Sequence, residues 1–178
     1  EVTGSFETAM IFAAQRALTD DLGDPILVGW LITAYLVVGA GAAALAGRMG
    51  DLFGRRRVLI LMLAAGLIGS LMSAFSVNYA MLLTGRCIQG VTGAILPLCV
   101  GLTRENLPRD KVPMGIGLMI SGASAGTAAG LVIGGLIVDL FSWHGVFLAS
   151  AGFAASALRA LWLLVPPSRP PAAARQID

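Results

Sequence analysis

Charge is what this sequence lacks most. Only 12% of its 178 residues are Asp, Glu, Lys or Arg, against roughly a quarter in an average soluble domain. With 57% hydrophobic residues and a mean hydropathy of +0.84, a water-soluble fold of this length would leave too much apolar surface uncovered. The same figures exclude disorder, which needs a polar and charged chain. Histidine occurs once, at His144, so no metal-ligand spacing exists. Cysteine occurs twice, at Cys87 and Cys99. On a helix these lie about 18 Å apart along the axis and roughly 120° apart around it, too far for a disulfide. There is no nucleophile–base pairing and no nucleotide-binding fingerprint. No enzyme, cofactor, metal or nucleic-acid partner is expected.

Long apolar runs are abundant instead. A membrane-crossing helix needs about 20 mostly apolar residues. Ile26–Ala46 meets that, and Val58–Phe75 is slightly short. Tyr79–Leu102 follows with Arg86 as its sole charge, then Pro113–Leu140 and Val146–Val165. Val2–Ala14 is short and interrupted by Glu7, and reads as the remainder of a truncated first helix. The expected fold is therefore all-α, a polytopic transmembrane helix bundle over residues 1–165. Residues 166–178, with Pro166, Pro167, Pro170 and Pro171, read as an extended linker or tail. The chain starts at Glu1 and not at Met, so it is expected to begin inside a longer protein, and the terminal linker suggests that something follows.

The basic residues are asymmetric. Arg48, Arg55, Arg56, Arg57, Arg104, Arg109, Lys111, Arg169 and Arg175 fall on one side of this topology. The other side holds Arg16 and His144 beside Asp20, Asp21, Asp24 and Asp139. Basic loops stay cytoplasmic, which orients the bundle and its tail.

Four features depart from plain lipid anchoring. Arg86, Gln89, Gly90 and Gly93 share one helical face. Arg86 either snorkels to the interface or stands on a cavity wall, the usual place of an intramembrane charge. Glu7 is either interfacial or, if its helix crosses the membrane, a buried carboxylate that takes up and releases protons near neutral pH. The ladder Gly122, Gly126, Gly130 and Gly134 leaves a bare groove that another helix can approach closely. Finally, Gly47–Arg57 reads either as a topology signal that binds anionic lipid or, from Gly47, Gly50 and Gly54, as a tight turn. In that turn Asp51 pairs with Arg or caps a helix.

In this order, these residues resemble the N-terminal six-helix half of a major facilitator superfamily transporter, closest to the drug:proton antiporter branch. Gly47, Asp51, Gly54, Arg55 and Arg56 match that superfamily's Gly-x-x-x-Asp-x-x-Gly-Arg-Arg signature, with Leu52 where many members have Arg. Arg86, Gln89 and Gly90 match the Arg-x-x-Gln-Gly signature of the fourth helix. Gly117, Gly126, Gly130, Gly134 and Gly135 match the antiporter signature of the fifth helix, whose usual proline is replaced by Leu131. Phe6-Glu7-Thr8 aligns with the acidic position of the first helix, with Glu where Asp is common, and Ser142-Trp143-His144 resembles the start of the sixth.

The resemblance implies alternating access between two six-helix halves, the C-terminal one being absent from this chain. It implies Asp51 and Arg55 as latch charges of a gating loop, and Arg86 and Gln89 at the cavity. Glu7 becomes a protonation site or a contact for a cationic drug, Tyr35 lines the cavity, and the fifth-helix glycines form a hinge. The expected partners are protons, a small-molecule substrate and the lipid bilayer, in a membrane of the bacterial inner type. The expected activity is proton-coupled export of amphipathic or cationic small molecules. Uptake or uniport of a sugar, acid or peptide stays open, as does a truncated module that does not transport.

Overall fold

A computed structural model describes residues 2–164 of the chain. Among these residues the chain makes six helical rods: α1 (Val2–Leu22), α2 (Pro25–Phe53), α3 (Arg55–Ala74), α4 (Tyr79–Gly90) with its continuation α5 (Ile95–Asn106), α6 (Val112–Phe141) and α7 (Trp143–Leu164). Five rods, all but α1, are long and apolar enough to cross a membrane. The Pro-rich segment expected to form a tail lies outside the described residues.

The helix boundaries follow local chemistry. Asp24 caps α2 by accepting from the Ile26 amide at 2.8 Å, with Pro25 in the first helical position, where its missing N–H costs nothing. Asn78 caps α4 in the same way through the Met81 amide, also at 2.8 Å. The expected tight turn over Gly47–Arg57 is corrected here: α2 runs helically through Gly47 and Gly50 to Phe53, and the reversal occurs at Gly54 alone. Gly54 has φ 88° and ψ 125°, a conformation that side chains resist, so one glycine ends α2 and begins α3.

Helix α1 also outruns its apolar run and ends at Leu22. Beyond Ala14 its outward residues are polar, with Gln15, Arg16 and Asp20 exposed. Phe6, Met10, Ala14 and Leu18, four residues apart, keep one stripe buried. The third expected span is not one regular helix either. A 3-10 turn, Val91–Ala94, interrupts it between α4 and α5, and such interruptions in mid-helix often mark hinges.

Small residues set the packing, as they do where lipid removes the hydrophobic drive between helices. A Cβ on Gly130 would meet the Phe6 carbonyl oxygen at 2.6 Å, and one on Gly134 the Met10 Cα at 2.9 Å, so α6 lies directly on α1. A Cβ on Gly93 would fall 2.6 Å from the Gly39 Cα, and one on Gly69 2.6 Å from the Gln89 amide nitrogen. These close approaches draw α2 and α3 onto the α4–α5 rod.

Candidate functional site: a buried polar chain beside a hydroxyl-lined recess

Side chains from α1, α3 and α4 bring polar groups together where the bundle is otherwise apolar. Glu7, Ser70, Arg86 and Gln89 are all buried, none more than 3% exposed. They form one hydrogen-bonded series. Arg86 Nη1 donates to Gln89 Oε1. Gln89 Nε2 donates to Ser70 Oγ at 2.9 Å, and the Ser70 hydroxyl lies 2.9 Å from Glu7 Oε1. Arginine has no acceptor atoms, so it fixes which end of the Gln89 amide faces it and turns the NH₂ toward Ser70.

The two charges are linked through this bridge and not by contact. The ion pairs found among the described residues lie elsewhere. The Arg86 guanidinium stands 4.3 Å over the Tyr35 ring, a cation–π arrangement that holds a charge away from water. Its Nε is buried without a hydrogen-bond partner. Arg86 thus does not extend to the interface: its side chain stays inside the bundle. Glu7 is likewise enclosed and not interfacial.

Tyr35 connects the chain to open space. Its hydroxyl lies 3.3 Å from Thr8 Oγ1 and 3.4 Å from Thr92 Oγ1. These groups, with Ser5, Gly93 and Leu96, line a recess of about 210 Å³. One wall is therefore hydroxyl-rich, with the buried Arg86 immediately behind the tyrosine ring. Trp30, by contrast, is 59% exposed on the outer face of α2.

A second polar constellation lies at one end of the bundle. Arg55, at the start of α3, binds Asp51 on α2 at 3.0 Å and Glu105 at the end of α5 at 3.3 Å. Glycines make its path. A Cβ on Gly101 would sit 2.6 Å from Arg55 Nη1, and one on Gly50 would sit 2.9 Å from Arg55 Cγ. Asp51 therefore pairs with arginine and does not cap α3, whose first turn has no side-chain cap. Arg56 turns elsewhere: its Nη2 donates to the Trp162 carbonyl at 3.0 Å, tying α3 to the last turn of α7. That use of a cation at a helix C-terminus matches the sign of the helix dipole. A Cβ on Gly47 would meet nothing within 4 Å.

The fifth-helix glycines divide into two groups. Gly126, Gly130 and Gly134 are buried, the last two against α1. A Cβ on Gly117 or Gly135 would meet nothing within 4 Å, so these two do not join that contact. The groove is occupied by α1 of the same bundle, the close helix approach expected of the Gly130 and Gly134 positions.

Sequence reading missed Ser70, Thr92 and Glu105. A signal existed for Ser70: Gly66, Gly69, Ser70 and Ser73 recur at helical spacing on α3 and are all buried. Thr92 lay hidden in the 3-10 turn, where helical spacing misplaces it. Glu105 stands near Arg104 and Arg109 in a segment that reads only as a charged loop.

The opposite end has its own order. Trp143 Nε1 donates to Asp21 Oδ2 at 3.1 Å, and Tyr79 Oη donates to the Leu27 carbonyl at 3.0 Å. The three turns that follow α1, α3 and α6 are thus held at one end, while Arg55 and Arg56 hold the other.

Comparison with known proteins agrees with this architecture. The family model of the Major Facilitator Superfamily matches residues 2–178. The chain belongs to the major facilitator superfamily. It is an integral, multi-pass membrane protein of that superfamily. It is 30% identical over 176 residues to the tetracenomycin C resistance and export protein of Streptomyces glaucescens, covering 98% of this chain and 33% of the relative. Over 139 residues it is 37% identical to the lincomycin resistance protein of Streptomyces lincolnensis, covering 76% and 28%. The inward-open xylose transporter XylE of E. coli superposes with a TM-score of 0.73 at 18% identity, over 94% of this chain and 46% of that one. The fold is thus that of a major facilitator N-terminal half, and the chain spans about a third of the length of the curated relatives it matches.

Proposed function

We propose that the full-length protein containing this segment exports amphipathic or cationic small molecules in exchange for protons, by alternating access between this bundle and a second one. The observation that carries the reading is the buried series from Glu7 to Arg86, set behind a hydroxyl-lined recess. An ionisable group enclosed at membrane depth is costly and rarely retained without use. Glu7 is the proton site, and Arg86 is the fixed cation whose field reaches it through the low-dielectric bundle. Gln89 holds Arg86 in place, and Tyr35 separates the cation from the recess while presenting its hydroxyl there. The resistance and export functions named for the similar Streptomyces proteins support the direction and the class of cargo.

At the end bearing Arg55, the Asp51–Arg55–Glu105 cluster serves as a latch that stabilises one orientation of the cavity. The excess of arginine there makes it the cytoplasmic end, in a bacterial inner membrane. Protons and cargo each favour a different orientation, and exchange follows from that difference in affinity.

The test is transport in everted membrane vesicles containing the full-length protein. An acid-interior gradient drives accumulation of a lipophilic cationic dye such as ethidium, and dissipating the gradient with a proton-exchanging ionophore abolishes it. Gradient-independent dye movement would overturn proton coupling. A second reading, uptake of a polar cargo such as a sugar, is favoured by the hydroxyls of Thr8, Tyr35 and Thr92 at the recess. Proton-driven accumulation of labelled sugar in right-side-out vesicles, with no dye movement in everted ones, would establish it instead.

A further inference from the structure

Ser70 sits where one proton has two destinations. Its hydroxyl lies 2.9 Å from Glu7 Oε1 and 2.8 Å from the Gly66 carbonyl oxygen on the preceding turn of α3. A serine hydroxyl carries a single hydrogen, so it serves one of these acceptors at a time. The third contact, from Gln89 Nε2, is a donor to Ser70 and is compatible with either choice.

We propose that Ser70 is a two-position hydrogen-bond switch that reports the protonation state of Glu7 to the backbone of α3. With Glu7 ionised, the carboxylate is the stronger acceptor, and the Ser70 hydrogen points to it. When a proton from solvent binds Glu7, the new carboxyl O–H donates to Ser70 Oγ. The serine hydrogen then turns to the Gly66 carbonyl. One proton is added to the carboxylate, none leaves serine, and the bond from Gln89 persists. This proposal rests on the reading of Glu7 as the proton site and adds the route by which its state leaves α1.

The route leads to the recess. Gly66 lies under Thr92, whose Cγ2 would be 2.5 Å from a Cβ placed on that glycine. Thr92 begins the second half of the connection: it donates to the Gln89 carbonyl at 2.8 Å, lies within reach of the Tyr35 hydroxyl, and occupies the 3-10 turn between α4 and α5. A second hydrogen bond at the Gly66 carbonyl tilts it away from the helix axis, as side-chain back-bonding in helices does. The turn so altered is the one that supports Thr92.

The charged groups around Glu7 leave this switch unshared. From α4 the facing charge is Arg86, and from α2 the facing titratable ring is Tyr35, stacked under that same arginine. Helix α6 presents Gly130 to Phe6, and α7 packs Phe153 on the Phe6 ring at 4.1 Å. Asp139 on α6 is exposed and lies about 13 Å along that helix from Gly130. His144 and Arg159 of α7 lie on either side of Phe153 along that helix, His144 half-buried near its start and Arg159 exposed toward its end.

Infrared difference spectra of the full-length protein in lipid, acid minus alkaline, read both bonds. The carboxyl band of protonated Glu7 is identified by its loss in Glu7→Gln. With carbonyl-¹³C glycine, a label-sensitive amide I band at lower wavenumber appears at acid pH as Gly66 gains its second bond. In Ser70→Ala the carboxyl band moves to higher wavenumber because its acceptor is gone, and the glycine band disappears. A glycine band that persists in Ser70→Ala, or that is missing from the unmodified protein although the Glu7 band is present, overturns the switch. Absence of any carboxyl band removed by Glu7→Gln overturns the proton-site reading itself, and the switch with it. The unmodified protein alone decides the glycine signal, so a poorly folding serine variant does not rescue the proposal.

Discussion

The bundle carries two arginine clusters built from the same residue types and governed by different physics. Arg86 is 1% exposed and reaches its carboxylate only through Gln89 and Ser70. Arg55 touches two carboxylates directly, yet its side chain is 25% exposed and that of Asp51 66%. Direct contact is therefore not a measure of strength. Water and salt weaken the outer pairs, whereas removing one member of a buried set leaves the others desolvated and unpaired. The inner cluster suits a site that must respond to a single proton. The outer one suits a contact that must open and close at little cost.

The largest expected effect follows from that difference. Arg86→Ala should lose about 3–5 kcal/mol of stability, the cost of an uncompensated buried partner, and reduce dye transport to background. Thermal unfolding in detergent and vesicle flux measure the two losses. Arg86→Lys should rescue little, because an ammonium does not reproduce both the guanidinium contact with the Tyr35 ring and the bond to Gln89. Normal transport by Arg86→Ala would remove the inner cluster from the transport mechanism.

A smaller effect separates the two groups of α6 glycines. Gly130→Val should destabilise by about 1–3 kcal/mol, as overpacking does, because its side chain would enter the α1 backbone near Phe6. Gly117→Val meets open space and should be neutral in the same unfolding assay. Equal losses from both would show that the stripe serves a contact outside this bundle.

Smallest is the change expected at the outer cluster. Glu105→Gln should alter stability by less than about 1 kcal/mol, and the difference should vanish in high salt. A salt-independent loss as large as that of Arg86→Ala would erase the distinction between the clusters.

The sequence made the helices, their number and the identity of most polar residues legible, since long apolar runs and isolated charges stand out against each other. It did less well where geometry depends on a partner helix. The turn at Gly54 was diluted by Gly47 and Gly50, which serve a helix and the path of Arg55. Arg86 and Glu7 were visible as charges, but the bridge between them was not, because Ser70 is polar only weakly and lies in another helix. Arg56 illustrates the same limit: its carbonyl partner on α7 has no signature in side-chain pattern. The α6 stripe was readable as a close contact, while its partner, α1, was disguised by a polar second half.

The most direct test separates proton coupling from cargo movement. Full-length protein with Glu7→Gln is compared with the unmodified protein in vesicles, first for dye accumulation driven by an acid-interior gradient, then for exchange of dye down equal gradients. The account predicts that Glu7→Gln abolishes gradient-driven accumulation while exchange persists, since the amide keeps the shape of the site but carries no exchangeable charge. Unchanged gradient-driven accumulation in Glu7→Gln would contradict it.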